Sequence, residues 1–153
     1  MGADLKIQTV AAYGAIAALV LVVAYQFLPK TKTKCEQDFD DYCSSGTCEL
    51  TVTLKACLPK AVTVVPDTLH VCKNNQPLRW TIKTVGYVFN DKGGIEFKNA
   101  QDKSDFDQEH PGGVTYSWRD KHGKQNPDIP YRIRILKDDL SPCTTVDPRI
   151  SND

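Results

Sequence analysis

Two spacings divide this chain: residues 7–29 carry no charged side chain, and from residue 48 onward apolar and polar positions alternate in short runs. The first stretch, IQTVAAYGAIAALVLVVAYQFLP, is long enough at about 1.5 Å per residue to cross a hydrocarbon core of roughly 30 Å as one helix. The later runs have period two, the mark of strands with one dry face and one wet face. Leu50, Val52 and Leu54 alternate with Glu49, Thr51, Thr53 and Lys55. Val62 and Val64 lead to a Pro66-Asp67 break, after which Leu69 and Val71 resume. Leu78, Trp80 and Ile82 follow an Asn74-Asn75 turn, and Ile95 and Phe97 follow the Asn- and Gly-rich turn at residues 90–94. Val114, Tyr116 and Trp118 form one further run, and Tyr131, Ile133 and Ile135 another.

This pattern predicts an all-β sandwich of about seven antiparallel strands with Greek-key connections, preceded by one N-terminal transmembrane α-helix. The matching division is a short tail (residues 1–6), the transmembrane helix (7–29), a juxtamembrane Cys-containing linker (30–47) and the β-sandwich domain (48–153). Residues 36–41 (EQDFDD) read as an acidic, solvated spacer, and no amphipathic helix longer than a turn or two is expected after residue 35. Residues 100–113 (AQDKSDFDQEHPGG) lack alternation and read as a long loop, and residues 121–128 as a second one. Trp80 and Trp118 are in phase with apolar neighbours and belong to the core.

The apolar stretch is longer than the hydrophobic region of a secretory signal, and its start is barely basic. Tyr25-Gln26-Phe27-Leu28-Pro29 is also a poor cleavage context, which favours a retained signal-anchor. Ala11, Gly14, Ala15 and Ala18 recur at i, i+3, i+4 and i+7 and line one stripe. In lipid, small residues let helix backbones approach closely, so this stripe is the expected contact face for a larger integral membrane protein complex. Lys30, Lys32 and Lys34 follow the stretch, a cytoplasmic signal by the positive-inside rule. Six cysteines point the other way, because disulfides persist in oxidising compartments. The cysteines are given the greater weight. The expectation is a single-pass protein of the cell (inner) membrane with a periplasmic or extracellular domain.

Only one close cysteine pair occurs, Cys43-Ser-Ser-Gly-Thr-Cys48, whereas a zinc site needs two. A disulfide frame is therefore expected: Cys43–Cys48 across a Gly-containing turn, Cys35–Cys57 enclosing it, and Cys72–Cys143 pinning the terminal segment. Four of the 19 basic residues and one of the 19 acidic residues fall within the first 34 positions, so the remainder is mildly acidic and unsuited to nucleic acid. Asp102, Asp105, Asp107 and Glu109 suggest calcium, but their spacing misses the D-x-D-x-D-G order, and a solvated loop is the default. His70, His110 and His122 are scattered. The chain has no G-x-S-x-G elbow, P-loop, H-E-x-x-H or C-x-x-C, so no catalytic, cofactor, metal or small-molecule substrate site is expected.

The stretch VTVVPDTLHVCKNNQPLRWTI resembles the opening hairpin of cupredoxin-like sandwiches, and GGVTYSWRDKHG…PYRIRIL is similar to their closing hairpin. Immunoglobulin-like sandwiches share these generic features, and the resemblance covers about residues 61–136. Copper proteins of the cupredoxin family imply a type-1 site of two imidazoles and a thiolate. This chain departs from that set: residues 84–89 (TVGYVF) offer no His, no Cys or Met lies between Cys72 and Cys143, and Met1 is the only methionine. A copper-free relative is the expectation.

The reading that joins these features is a non-catalytic single-pass accessory or structural subunit of a larger membrane complex, whether respiratory, photosynthetic or transport. Its partners would be that complex and the lipid bilayer, with no cofactor. One alternative is a metal-binding or electron-transfer cupredoxin-like module using His70, His110, His122 and the cysteines. Another is a pilin-like fibre subunit. Pilins also begin with a hydrophobic helix but usually carry an early acidic residue within it, and residues 7–29 have none.

Overall fold

The computed structural model describes residues 30–153, which form a mostly β domain of two mixed sheets, neither closed into a barrel. Helix α1 (Lys34–Tyr42) is followed by β1 (Cys48–Leu54), a 3-10 turn (Pro59–Ala61), β2 (Val62–Val65), β3 (Thr68–Val71), β4 (Gln76–Ile82), β5 (Tyr87–Phe89) and β6 (Ile95–Phe97). A helical turn α2 (Ala100–Lys103) then leads to β7 (Phe106–Gly112), β8 (Thr115–Asp120), β9 (Asn126–Lys137), β10 (Pro142–Val146) and β11 (Arg149–Asn152). One sheet has the order β2-β1-β4-β8-β7. The other runs β10-β9-β11-β3, with β5 and β6 also paired to β9.

The alternating positions become the dry faces. Cys48, Leu50, Val52 and Leu54 of β1 are buried, as are Gln76, Leu78, Trp80 and Ile82 of β4. The two sheets share one core. Trp80 Nε1 donates to Tyr131 Oη at 3.0 Å with the rings edge-on at 5.5 Å. Phe89 meets Tyr116 at 5.8 Å, and Phe97 meets Trp118 at 5.6 Å. Strand β9 is the spine of the second sheet: Ile133 pairs with Val146 and Ile95, and Ile135 with Thr144 and Phe89. Each large apolar side chain buried in this row contributes about 1.5–3 kcal/mol. Gly94 marks the tightest approach. A Cβ there would lie 2.5 Å from the Asn90 carbonyl oxygen and 2.7 Å from the Tyr116 ring, so the turn before β6 closes only without a side chain.

Neighbour relations depart from the expected antiparallel sandwich. β1 pairs with β4 in parallel and β3 pairs with β11 in parallel, and eleven strands are present among the described residues rather than about seven. The two stretches that resemble hairpins are not hairpins, since β3 and β4 lie in different sheets, as do β8 and β9. Alternation states which face of a strand is dry, but not which strand lies beside it. Residues 106–112 form the edge strand β7 instead of a loop. Only Phe106 of that strand is buried, so it shows no alternation. Strands β5, β10 and β11 are likewise short or only partly apolar, and β9 extends back to Asn126 into the second expected loop.

The segment expected as a solvated spacer belongs to the compact unit, which begins at Thr33. The Thr33 side chain accepts from the Glu36 N–H at 3.3 Å, and Glu36 accepts from the Thr33 N–H at 2.8 Å, a reciprocal cap that starts α1. Cys35, Asp38, Phe39 and Tyr42 then recur at i, i+3, i+4 and i+7. Cys35 and Asp38 are buried, and Phe39 and Tyr42 pack on the core. The expected membrane helix at residues 7–29, with Ala11, Gly14, Ala15 and Ala18, lies outside the described residues. Among the described residues no helix is long and apolar enough to cross a membrane.

Candidate functional site

Titratable groups gather where β3, β8 and β11 finish. Asp120, the last residue of β8, is fully buried. One of its carboxylate oxygens accepts from the His122 N–H at 2.7 Å and from Asn152 Nδ2 at 3.4 Å. Among the described residues, no hydrogen-bond partner meets Asp120 Oδ2, His122 Nδ1, Asn152 Oδ1 or Trp118 Nε1. Burial pushes the Asp120 carboxyl up to about 6, against the opposing pull of the His122 N–H. Nearby, His70 Nδ1 sits 2.7 Å from Asp153 Oδ2, and Ser151 Oγ donates to Asp153 Oδ1 at 2.6 Å. The His70 N–H donates to Asp38 Oδ2 of α1 at 2.9 Å, while Lys34 pairs with the other oxygen of that carboxylate. The Asp38–His70 hydrogen bond fixes the helix to the sheet.

Cysteine pairing follows position in the fold. The Cys43–Cys48 bridge is present at this polar end, where the Gly46 carbonyl also accepts from Gln76 Nε2 at 2.9 Å. Cys57 is bonded to Cys143, so the expected Cys35–Cys57 and Cys72–Cys143 pairings are both replaced. Cys57 follows the end of β1 and Cys143 lies in β10, whereas Cys35 in α1 and Cys72 after β3 belong to the opposite end. Cys35 is buried and Cys72 half-buried, both as free thiols, and the two thiols are neighbours. Burial, with help from Cys35, pushes the Cys72 thiol up to about 12.

The far end of the domain, about 20 Å away along β4, has a different character. Four loops meet there. Leu54 N–H donates to Thr84 Oγ1, Ile82 N–H to the Val114 carbonyl, and Asp138 N–H to the Gly86 carbonyl, while the Cys57–Cys143 bridge ties in the remaining loop. These loops carry Leu58, Val85, Val114 and Leu140, all exposed, with Val85 at 95 %. A groove of about 420 Å³ lined by Cys57, Pro59, Arg134, Leu136 and Thr144 adjoins them. Scattered apolar side chains are ordinary on a surface; these four are exposed on the loops of one end of the domain.

The structure disperses the other candidates. His110 is exposed on β7, His70 pairs with Asp153, and His122 lies beside Asp120. Asp102 accepts from the side-chain amides of Asn99 and Asn126, at 2.8 and 3.0 Å. Asp107 takes the two-pronged grip of Arg119 at 2.8 Å each, which holds its carboxyl below the usual value, and Glu109 accepts from the Tyr116 hydroxyl. Among the described residues no three His, Cys, Asp or Glu side chains converge on a metal position. The α1 docking face escaped the pattern reading, yet its signals are local. Thr33-Lys34-Cys35-Glu36 is a capping box, and Cys35, Phe39 and Tyr42 have helical spacing. No family model and no curated protein matches the chain.

Proposed function

We propose that this protein is a non-catalytic, single-pass accessory subunit of a larger membrane complex, with its β domain on the extracytoplasmic side. Two disulfides suggest an oxidising, extracytoplasmic setting for the domain. The charge-free run at residues 7–29, with its small-residue stripe Ala11, Gly14, Ala15 and Ala18, supports a membrane anchor that docks on a partner helix. The two-sheet core supports a copper-free sandwich related to cupredoxin-like or immunoglobulin-like domains.

The observation that carries the reading is the loop end, where Leu58, Val85, Val114 and Leu140 stand exposed on segments tied together by hydrogen bonds and a disulfide. Aliphatic side chains held outward on a rigid base are suited to burial against another protein. The test is affinity isolation of the full chain from native membranes solubilised in mild detergent, followed by identification of stoichiometric companions. A defined integral membrane complex is the expected companion, lost when Gly14 and Ala15 are both changed to Ile or when Val85 and Leu140 are both changed to Asp. Recovery of a monomer alone would overturn the proposal.

A further inference from the structure

We propose that Cys35 and Cys72 are partners in a third disulfide, which staples α1 to the end of β3. The inference stands apart from the accessory-subunit reading, because it rests on the packing of helix against strand. Helix α1 packs against β3. Asp38 receives the His70 N–H at 2.9 Å. Three residues before Asp38 comes Cys35, on the same buried face of the helix, and its thiol neighbours that of Cys72, two residues after His70. Cys35 and Asp38, three apart, share one face of the helix, and His70 and Cys72, two apart, share one face of the strand. Lys73 closes the same junction from the next position, its ammonium 3.4 Å from the centre of the Phe39 ring.

The chemistry of the remaining cysteines agrees. Four of six are already bridged, each within its own end of the domain, and the last two are neighbours where α1 meets β3, Cys35 buried and Cys72 half-buried. Neighbouring thiols on two packed elements are the pair that side-chain rotation can bring to bonding distance. The oxidant is a protein disulfide of the thiol-exchange class. One cysteine thiolate attacks it, forming a mixed disulfide and releasing the first oxidant thiolate. The second cysteine thiolate then attacks the linked cysteine sulfur, forming the Cys35–Cys72 bond and releasing the second. Two protons and two electrons leave the pair, and the oxidant becomes a dithiol.

The experiment is thiol counting on the full chain, prepared without reductant from an oxidising compartment, denatured and alkylated, with peptide mapping of the cross-links. The expected result is no alkylated cysteine and a linked peptide pair containing Cys35 and Cys72. Alkylation of both Cys35 and Cys72 after exposure to glutathione disulfide would overturn the proposal, as would either residue found linked to Cys57 or Cys143. Changing Cys35→Ser gives a second readout: Cys72 becomes the one alkylated residue, the other two bridges persist, and amide protection is lost in α1 but kept in β4 and β9. Unchanged protection of α1 in that variant, beside a wild type shown to carry the bridge, would refute the stapling role.

Discussion

The two ends of the domain are closed by opposite means. At the loop end one bridge, Cys57–Cys143, joins positions 86 residues apart, and the side chains around it are aliphatic and exposed. At the polar end the Cys43–Cys48 bridge spans only 5 residues, and closure comes from α1, a buried carboxylate network and the Cys35–Cys72 contact. In the chain-entropy picture the long loop is worth about 4–5 kcal/mol and the short one about 2 kcal/mol. A long-range bridge thus holds the domain together where the loops have little buried surface of their own. A short bridge sets a turn, and packing supplies the rest.

The largest effect that would test this contrast is removal of the long bridge. Cys57→Ser with Cys143→Ser is expected to lower unfolding free energy by about 4 kcal/mol, against about 2 kcal/mol for Cys43→Ser with Cys48→Ser, measured by urea titration. Equal losses would remove the distinction between the ends.

Next comes pH. The Asp120 carboxyl is raised to about 6 in the folded protein and sits near 3.9 in an unfolded chain. Between these values the folded state holds a proton that the unfolded state has released. Stability from this group is therefore full below about pH 4 and is lost as pH rises through about 6, a change of about 3 kcal/mol. Relative to Asp120→Asn, the wild type should lose that amount between pH 4 and pH 7. A constant difference would place Asp120 in a more solvated setting than the polar end provides.

A smaller effect is expected for Asp38→Ala, which strips the acceptor from the buried His70 N–H and the partner from Lys34. The cost is about 1–3 kcal/mol, and amide exchange should rise in α1 and β3 while the far loops are unchanged. The smallest expected change in stability is at the loop end itself. Val85→Asp and Leu140→Asp should shift the unfolding free energy by no more than about 0.5 kcal/mol, while recovery of the membrane partner falls. A large stability loss there would show that these residues belong to the fold rather than to a contact face.

The buried faces of β1, β4, β6 and β8 were legible because each has apolar residues two apart with polar ones between, and burial follows that spacing residue by residue. The turn at residues 90–94 was equally plain, and Gly93 adopts φ +75° there. Strand β7 was not legible, since an edge strand reading Asp107, Gln108, Glu109 and His110 has no core side to betray it. Helix α1 was masked by its acidity, because Asp38 looks like a solvent residue until the His70 N–H is beside it. Of the features that matter to function, the exposed Val85 and Leu140 sit at unremarked loop tips. The Asp138–Gly86 hydrogen bond and the β5–β9 pairing join the segments that carry them.

Local patterning by itself therefore determined which side chains of this domain are dry and where it turns. These depend on residues within one strand or one turn, where spacing and chemistry act directly. Tertiary structure alone decided that β1 lies parallel to β4, that Cys57 meets Cys143, and that α1 lays Cys35 against Cys72. Those choices join positions far apart in the chain. They are made by how two sheets and a helix fill one core, which no local spacing records.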